Sequence, residues 1–265
     1  MPIYSITTLL FVVLFSFIAP FFYTVSPTDL HVDAILSAPS SQYLFGTDRL
    51  GRDLLARLMQ GGQISLIIGI VSAFLSTLLG FIIGTTAGYF RGKTDKFFVL
   101  LVDLFLTFPT FFLLLALVSY VNASVWVLIV ILSITGWMTT ARLIRSESFA
   151  ITQQPYIKIL SIAKVSKIKI VLEYYTPLLA PIFFVSFTFG VGGAILSESA
   201  LSFLGLGIVA PQMSWGTIMS DGKEVIQIAW WVSFFPGLLI FLITLALINI
   251  SNYLQQLTNQ KEINN

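Results

Sequence analysis

The sequence predicts an all-α polytopic membrane protein with six transmembrane helices and an amphipathic cytoplasmic helix between the fourth and fifth. Three observations carry that reading. Of 265 residues, 57% are hydrophobic and only 10% charged, with a mean hydropathy of +0.93; this is too little charge to cover a soluble globule of that size. Six apolar runs approach or reach the ~20 residues a helix needs to cross a bilayer. The interval from Ala141 to Pro181 is the one long mid-chain stretch that is not membrane-like, and it holds six of the 14 Lys and Arg residues: Arg142, Arg145, Lys158, Lys164, Lys167 and Lys169.

The first run, Tyr4 to Val25, is uncharged and of spanning length. No Lys or Arg precedes it and no small-x-small cleavage site follows, so it reads as a retained helix rather than a signal peptide. Residues 26–63 form a polar outer loop that ends in an interfacial helix from Arg52 to Gln60. In the second span, Ile64 to Tyr89, small residues recur every fourth position at Ser72, Ser76, Gly80, Gly84 and Gly88. They share one face, and because close backbone approach drives helix association in lipid, that face should pack on another helix.

A polar turn with Arg91, Lys93, Asp95 and Lys96 leads to the third span, Phe97 to Val121. Asp103 lies ~10 Å into it at 1.5 Å per residue, with Pro109 beyond. A carboxylate at that depth faces protein or water. Two readings are open: an interfacial acid paired with Lys96 or an Arg of the next loop, or a group of the pathway.

Val125 to Ala141 is a short fourth span bounded by Arg142 and Arg145. Between Pro155 and Pro177 there is neither Gly nor Pro, and Tyr156, Ile159, Leu160, Ala163 and Ile170 recur at helical spacing. This predicts the amphipathic helix, lying on a membrane surface or a partner. The fifth span, Leu178 to Leu196, puts Ser186, Gly190, Ala194 and Glu198 on one face, and Gly192-Gly193 predicts local distortion. After a Gly- and Pro-containing loop, the sixth span runs from Ala229 to Ile250, with Pro236-Gly237 predicting a kink. The domain division is then 1–63 for the first helix and outer loop, 64–250 for the membrane domain, and 251–265 for a cytoplasmic tail.

Six spans return the chain to its starting side. The 91–96 turn, the 141–177 loop and the tail hold ten basic residues; the other connections hold Arg49, Arg52, Arg57 and Lys223. The first set should be cytoplasmic, which places both termini inside the cell membrane.

The chemistry that is missing narrows the function. There is no Cys and one His, His31, in an outer loop; no metal site, cofactor or catalytic triad is expected. No G-x-x-x-x-G-K-[ST] loop occurs, so this chain does not hydrolyse nucleotide by that route. The basic residues sit at membrane ends, where lipid and orientation explain them, and no nucleic-acid surface is formed. Transport remains, either as a secondary transporter or channel, or as a passive pathway moved by a partner's nucleotide cycle. The first needs ionisable groups near the bilayer midplane, and only Asp103 intrudes.

Several strings then resemble the permease subunits of binding-protein-dependent ABC importers, in the dipeptide, oligopeptide and nickel group. They are FGTDRLGRD from Phe45 to Asp53 with Leu58 and Gly61; Ala87-Gly88-Tyr89-Phe90 with Gly92 and Asp95; Asp103 with Pro109; and Ala141-Arg142-Leu143-Ile144-Arg145. The most specific is LSFLGLG from Leu201 to Gly207, with Pro211, Trp215 and Gly216; Pro236-Gly237 also fits. The resemblance covers residues 45–250. It implies a second, homologous permease, two cytoplasmic ATPases and an extracytoplasmic binding protein as partners, and peptides, nickel or metal chelates as substrates. It also implies that residues 156–170 form a coupling helix, with Tyr156, Ile157, Lys158, Ile159, Leu160, Lys164 and Ser166 meeting the ATPase.

The sequence departs from the family pattern within that helix. The E-A-A positions are Lys158, Ile159 and Leu160, and the expected Gly is Lys164. With Lys there, the sharp turn between two helices should be strained, shifted or absent, leaving a weakly coupled paralogue as an alternative. Helix packing is expected at Ser72, Ser76, Gly80, Gly84, Gly88, Gly190 and Ala194. An outer loop or gate is expected at Gly46, Asp48, Gly51, Arg52, Asp53, Glu198, Phe203, Gly205, Gly207 and Trp215. Asp103, Pro109, Arg142 and Arg145 are assigned no single role.

Overall fold

The computed structural model describes residues 2–263, and every element among them is helical or irregular apart from one isolated bridge between Thr47 and Asp53. Helix α1 is Ile3–Phe17, and Pro20 follows in a short 3₁₀ turn, Ala19–Phe21. The expected helical run to Val25 therefore ends early, where a proline can no longer donate to the ladder.

Helix α2, Leu54–Phe90, is unbroken over 37 residues. It absorbs both the interfacial helix expected at Arg52 to Gln60 and the second span, so the division expected at residue 63 falls inside one element. Gly61-Gly62, where the expected elements would part, is a contact point: a Cβ on Gly62 would strike Ser16 of α1 and Trp215. Asp53 starts the helix as its N-cap, its Oδ1 accepting from Ala56 N at 2.8 Å.

The third span is broken. Helices α3, Gly92–Thr107, and α4, Thr110–Ser119, meet at an 81° bend. Pro109 causes it: Phe108, the residue before it, is forced out of helical geometry (φ −91°, ψ 133°). Helix α5 runs Val125–Gln153, well past the end expected at Ala141. Two short helices follow, α6, Pro155–Ile162, and α7, Lys167–Ile170. A π-helical turn, Val171–Tyr175, joins α7 to α8, Thr176–Phe203, and α8 continues through Gly192-Gly193. The loop expected up to residue 228 contains a further helix, α9, Trp215–Lys223. Helix α10, Trp231–Ile263, passes through Pro236 and takes in most of the expected tail; residues 264–265 lie outside the described residues.

Five helical stretches are long and apolar enough to cross a membrane, and the bent pair α3–α4 makes six. Their packing follows the small-residue rule. A Cβ on Gly80 would meet Trp137 O at 2.7 Å, on Gly84 Ala141 O at 2.6 Å, and on Gly88 Arg145 O at 2.8 Å. Ser76 lies against Gly136, and Ser133 Oγ reaches Ser72 O at 3.4 Å. The register advances in step along both helices, so α2 and α5 run parallel and nearly in contact at their backbones. Gly190 of α8 faces Ala73 of α2, where an added Cβ would find it at 3.4 Å, and Ala194 packs beside the cluster of Ile68, Leu128 and Leu201.

Candidate functional site

Three regions carry the predicted site residues, one at each end of the bundle and one between. At the end formed by the α5–α8 connection, α6 is clamped to the bundle by Ile157, which is buried with Ile144, Ile170, Tyr175 and Leu179. Tyr156, Lys158 and Ile159 point outward, and Ile162 is 81% exposed. Leu160 is half-buried against the same cluster.

Lys164 lies in the turn between α6 and α7 at φ +57°. Lys164 N donates to Ser161 O and Val165 N to Leu160 O, both at 3.1 Å. This is the Schellman pair of bonds that closes a helix with a left-handed residue, and Leu160 and Val165 supply the apolar contact that accompanies it. Of the three outcomes expected for this turn, strained, shifted or absent, the structure has the first: the turn is present and in place, with Lys adopting a left-handed backbone that Gly takes more cheaply. Ser166 precedes α7 without capping it by its side chain. The 156–170 segment is thus two helices rather than one.

Between the ends lies a cleft of about 450 Å³. Ser72, Ser76 and Thr77 of α2, Thr135, Thr139 and Thr140 of α5, and Ser186, Gly190 and Ser197 of α8 line it, together with Thr110 of α4 and Asn252 and Gln255 of α10. None of its lining residues is charged. Of the predicted packing residues, Ser72, Ser76, Gly190 and Ala194 reach this wall, whereas Gly80, Gly84 and Gly88 do not. The Thr residues of α5 and the amides of α10 went unnoticed in the sequence: each set has helical spacing within its own helix, but nothing local shows that the two faces meet.

The opposite end is closed by a network of charges. Asp48 is buried, accepting from Leu50 N and Arg52 N through Oδ1 and from Arg52 Nε at 2.7 Å through Oδ2. This folds the chain tightly around Gly51, whose φ is +73° and whose missing Cβ leaves room for the His31 carbonyl. Arg57, 3% exposed, bridges Asp48 at 3.3 Å and Asp221 of α9 at 3.1 Å. Arg49 pairs with Glu224 at 2.5 Å, and Trp231 Nε1 donates to Thr47 O beside Gly46. Arg57, Asp221 and Glu224 are members of this charged cap that the sequence motifs do not include, and no local signal marks their union.

Trp215 is fully buried, not exposed in a loop; its Nε1 donates to Leu58 O at 2.9 Å. Glu198, placed by the sequence at the membrane surface, is fully buried as well. Phe203 lies under Lys223, whose Nζ is 5.0 Å from the ring, and Gly205 and Gly207 turn the chain away from α8. Asp103 and Arg142 form an ion pair at 2.6 Å, and Pro109 marks the α3–α4 bend. Arg145 pairs with Asp95 instead.

Residues 76–262 match the family described as binding-protein-dependent transport system inner membrane component. The oligopeptide transport system permease protein OppC of Haemophilus influenzae is 32% identical, over 88% of this chain and 76% of that protein. OppC of Mycobacterium tuberculosis is also 32% identical, over 90% of this chain and 83% of its own length. Among solved structures, an inward-facing conformation of the MetNI methionine ABC transporter shares the fold, with TM-score 0.58 and 18% identity over 75% of this chain and 96% of that one. The chain belongs to the family of binding-protein-dependent transport system inner membrane components.

Proposed function

We propose that this chain is half of the translocation pathway of an ATP-driven peptide importer, moved by a separate ATPase that grips α6. The observation that carries this is α6 itself. It is wedged by Ile157 between α5 and α8, while Tyr156, Ile159 and Ile162 are left facing outward beside Lys158 and Lys164. An apolar, basic knob of this kind fits a cleft in a partner protein. Because the Schellman turn at Lys164 ties it to α7 and hence to α8, a push on it reaches two spans. The intact turn favours coupling over the weakly coupled alternative.

The uncharged cleft, whose wall mixes hydroxyls and amides with apolar side chains such as Leu114, Leu132 and Phe189, supports a peptide as cargo rather than a free metal ion. Serine, threonine and amide groups can exchange hydrogen bonds with a passing backbone, and none would hold a divalent cation tightly. A second permease supplies the facing wall, and a binding protein docks on the charged cap at the outer end. The basic α6 end and both termini are cytoplasmic.

Affinity purification of the tagged chain from mild detergent tests this, with Tyr156→Asp/Ile159→Asp as the comparison. The intact chain should bring down an ATPase and a second permease, and the variant should lose the ATPase alone. An intact chain that emerges without an ATPase would overturn the proposal.

A further inference from the structure

Glu198 has no part in the coupling or the cleft, yet its burial is complete. Among the described residues no Lys, Arg or His pairs with it. Its partners are hydroxyls: Ser202 Oγ donates to Oε1 at 2.7 Å, Ser214 Oγ donates to the same oxygen at 2.6 Å, and Ser199 Oγ lies 3.5 Å from Oε2. Ser214 and Ser65 of α2 are also bound to the start of α9. Ser214 is its N-cap and accepts from Thr217 N at 3.2 Å; Ser65 Oγ accepts from Trp215 N at 3.1 Å.

A serine hydroxyl can accept a hydrogen bond while donating its own. Ser214 therefore accepts from an N–H left unpaired at the start of α9 and donates to Glu198, while Ser65 of α2 accepts from another such N–H. Glu198 Oε1, which receives the Ser214 and Ser202 hydroxyls, thereby becomes the remote acceptor behind the unpaired N–H groups of the helix N-terminus. Close packing fixes the same joint: a Cβ on Gly216 would meet Ser199 Cα at 2.6 Å. The joint sits at the outer end of the cleft, since Ser197, one residue earlier on α8, lines it.

We propose that Glu198 is a positioning residue that latches α9 onto α2 and α8 through this serine relay and so holds the outer end of the cleft closed. A buried carboxylate without a cation is stable only while its hydroxyl partners stay in place. Water entering as the outer end opens replaces those partners, so the latch releases on wetting. Its role in gating rests on the import reading above; the latch itself does not.

The chain contains no Cys, so a single thiol reports cleanly. Ile218 of α9 is fully buried, and Ile218→Cys in otherwise native complex should react slowly with a membrane-impermeant maleimide added outside. Adding Glu198→Ala should raise that rate about tenfold, the scale of one lost buried hydrogen bond. The isosteric Glu198→Gln should raise it less, with thermal stability unchanged and with more ATP hydrolysis in the absence of binding protein. Unchanged labelling in Glu198→Gln, or a stability loss equal to its labelling gain, would overturn the latch. The labelling rate is read whether or not an ATPase co-purifies, so failure of the import reading remains distinguishable.

Discussion

Arg145 of α5 holds Asp95 of α3 with two parallel hydrogen bonds, Nε to Oδ1 at 2.5 Å and Nη2 to Oδ2 at 2.7 Å. Val102 is the one buried residue of α3, so this fork, with Asp103–Arg142 two turns further on, does much to fasten the helix to the bundle. Removing either member of the partly exposed fork should cost roughly 1–2 kcal/mol. The exchanged pair Asp95→Arg/Arg145→Asp should recover part of the loss. Thermal unfolding of the four proteins in detergent, treated as a double-mutant cycle, measures the coupling.

Gly84→Leu should prevent proper assembly. Even a Cβ there meets Ala141 O at 2.6 Å and Ile144 Cβ at 2.8 Å, both on a helix that cannot retreat without breaking the register. The loss should exceed ~2 kcal/mol, as for other overpacked sites. Gly193→Ala is the control, since nothing lies within 4 Å of its Cβ position, and size-exclusion profiles of the two variants should differ plainly.

Lys164→Gly should keep ATPase capture intact and stabilise the turn by ~1 kcal/mol, because the residue already occupies left-handed backbone at φ +57°. Lys164→Val should weaken capture, since a β-branched side chain tolerates that backbone poorly. Quantitative pull-down of the ATPase with each variant checks both directions. Loss of capture in Lys164→Gly would show that the ammonium group, not the turn, is what the partner reads.

Arg57→Ala should destabilise the outer cap by ~1–3 kcal/mol: Asp48 keeps Arg52 and its two backbone donors, but the buried bridge from Asp48 to Asp221 of α9 is lost. Arg57→Lys should restore only part of this, because a point charge cannot span two carboxylates as a planar fork does. Proteolysis of the 204–230 segment in the assembled complex gives the readout.

Tyr23 donates to Asp53 at 2.9 Å, and partial burial together with that carboxylate pushes its phenol up to about 12. The raised value means that the bonded, protonated form is favoured by folding. Its contribution is complete below pH 10 and is lost only as pH rises through about 12. Tyr23→Phe should therefore lower thermal stability by an amount, ~1 kcal/mol, that stays constant from pH 6 to 9.

Hydropathy located the membrane runs because lipid imposes one requirement on every spanning residue, and the four-residue spacing of Ser72 to Gly88 announced a packed face for a related reason. The ends of the helices were harder to read. Arg142 and Arg145 looked like a boundary, yet α5 continues to Gln153: arginine is a good helix former, and the partners of these two, Asp103 and Asp95, lie forty or fifty positions away. Helix α9 was hidden among glycines; its start is fixed by Ser214 and Thr217 capping each other, a pairing whose meaning depends on Ser65 and Glu198 lying nearby. Lys164 read as a defect because local preference favours Gly, while two backbone bonds and an apolar contact outweigh that preference. The cleft was illegible for a simpler reason: its hydroxyls come from separate helices and meet only after folding.

The unbroken length of α2 has a mechanical consequence. At 1.5 Å per residue, its 37 residues make a rod of ~55 Å, nearly twice the hydrocarbon thickness. One tip carries Asp53 and Arg57 within the charged cap; the other carries Gly88 and Tyr89 beside the α6 cluster. No hinge interrupts it, so a tilt of a few degrees imposed at one water-facing surface displaces the other by several ångströms at once. The two faces of the membrane are joined through a lever, and a signal needs no chain of side-chain rearrangements to pass between them.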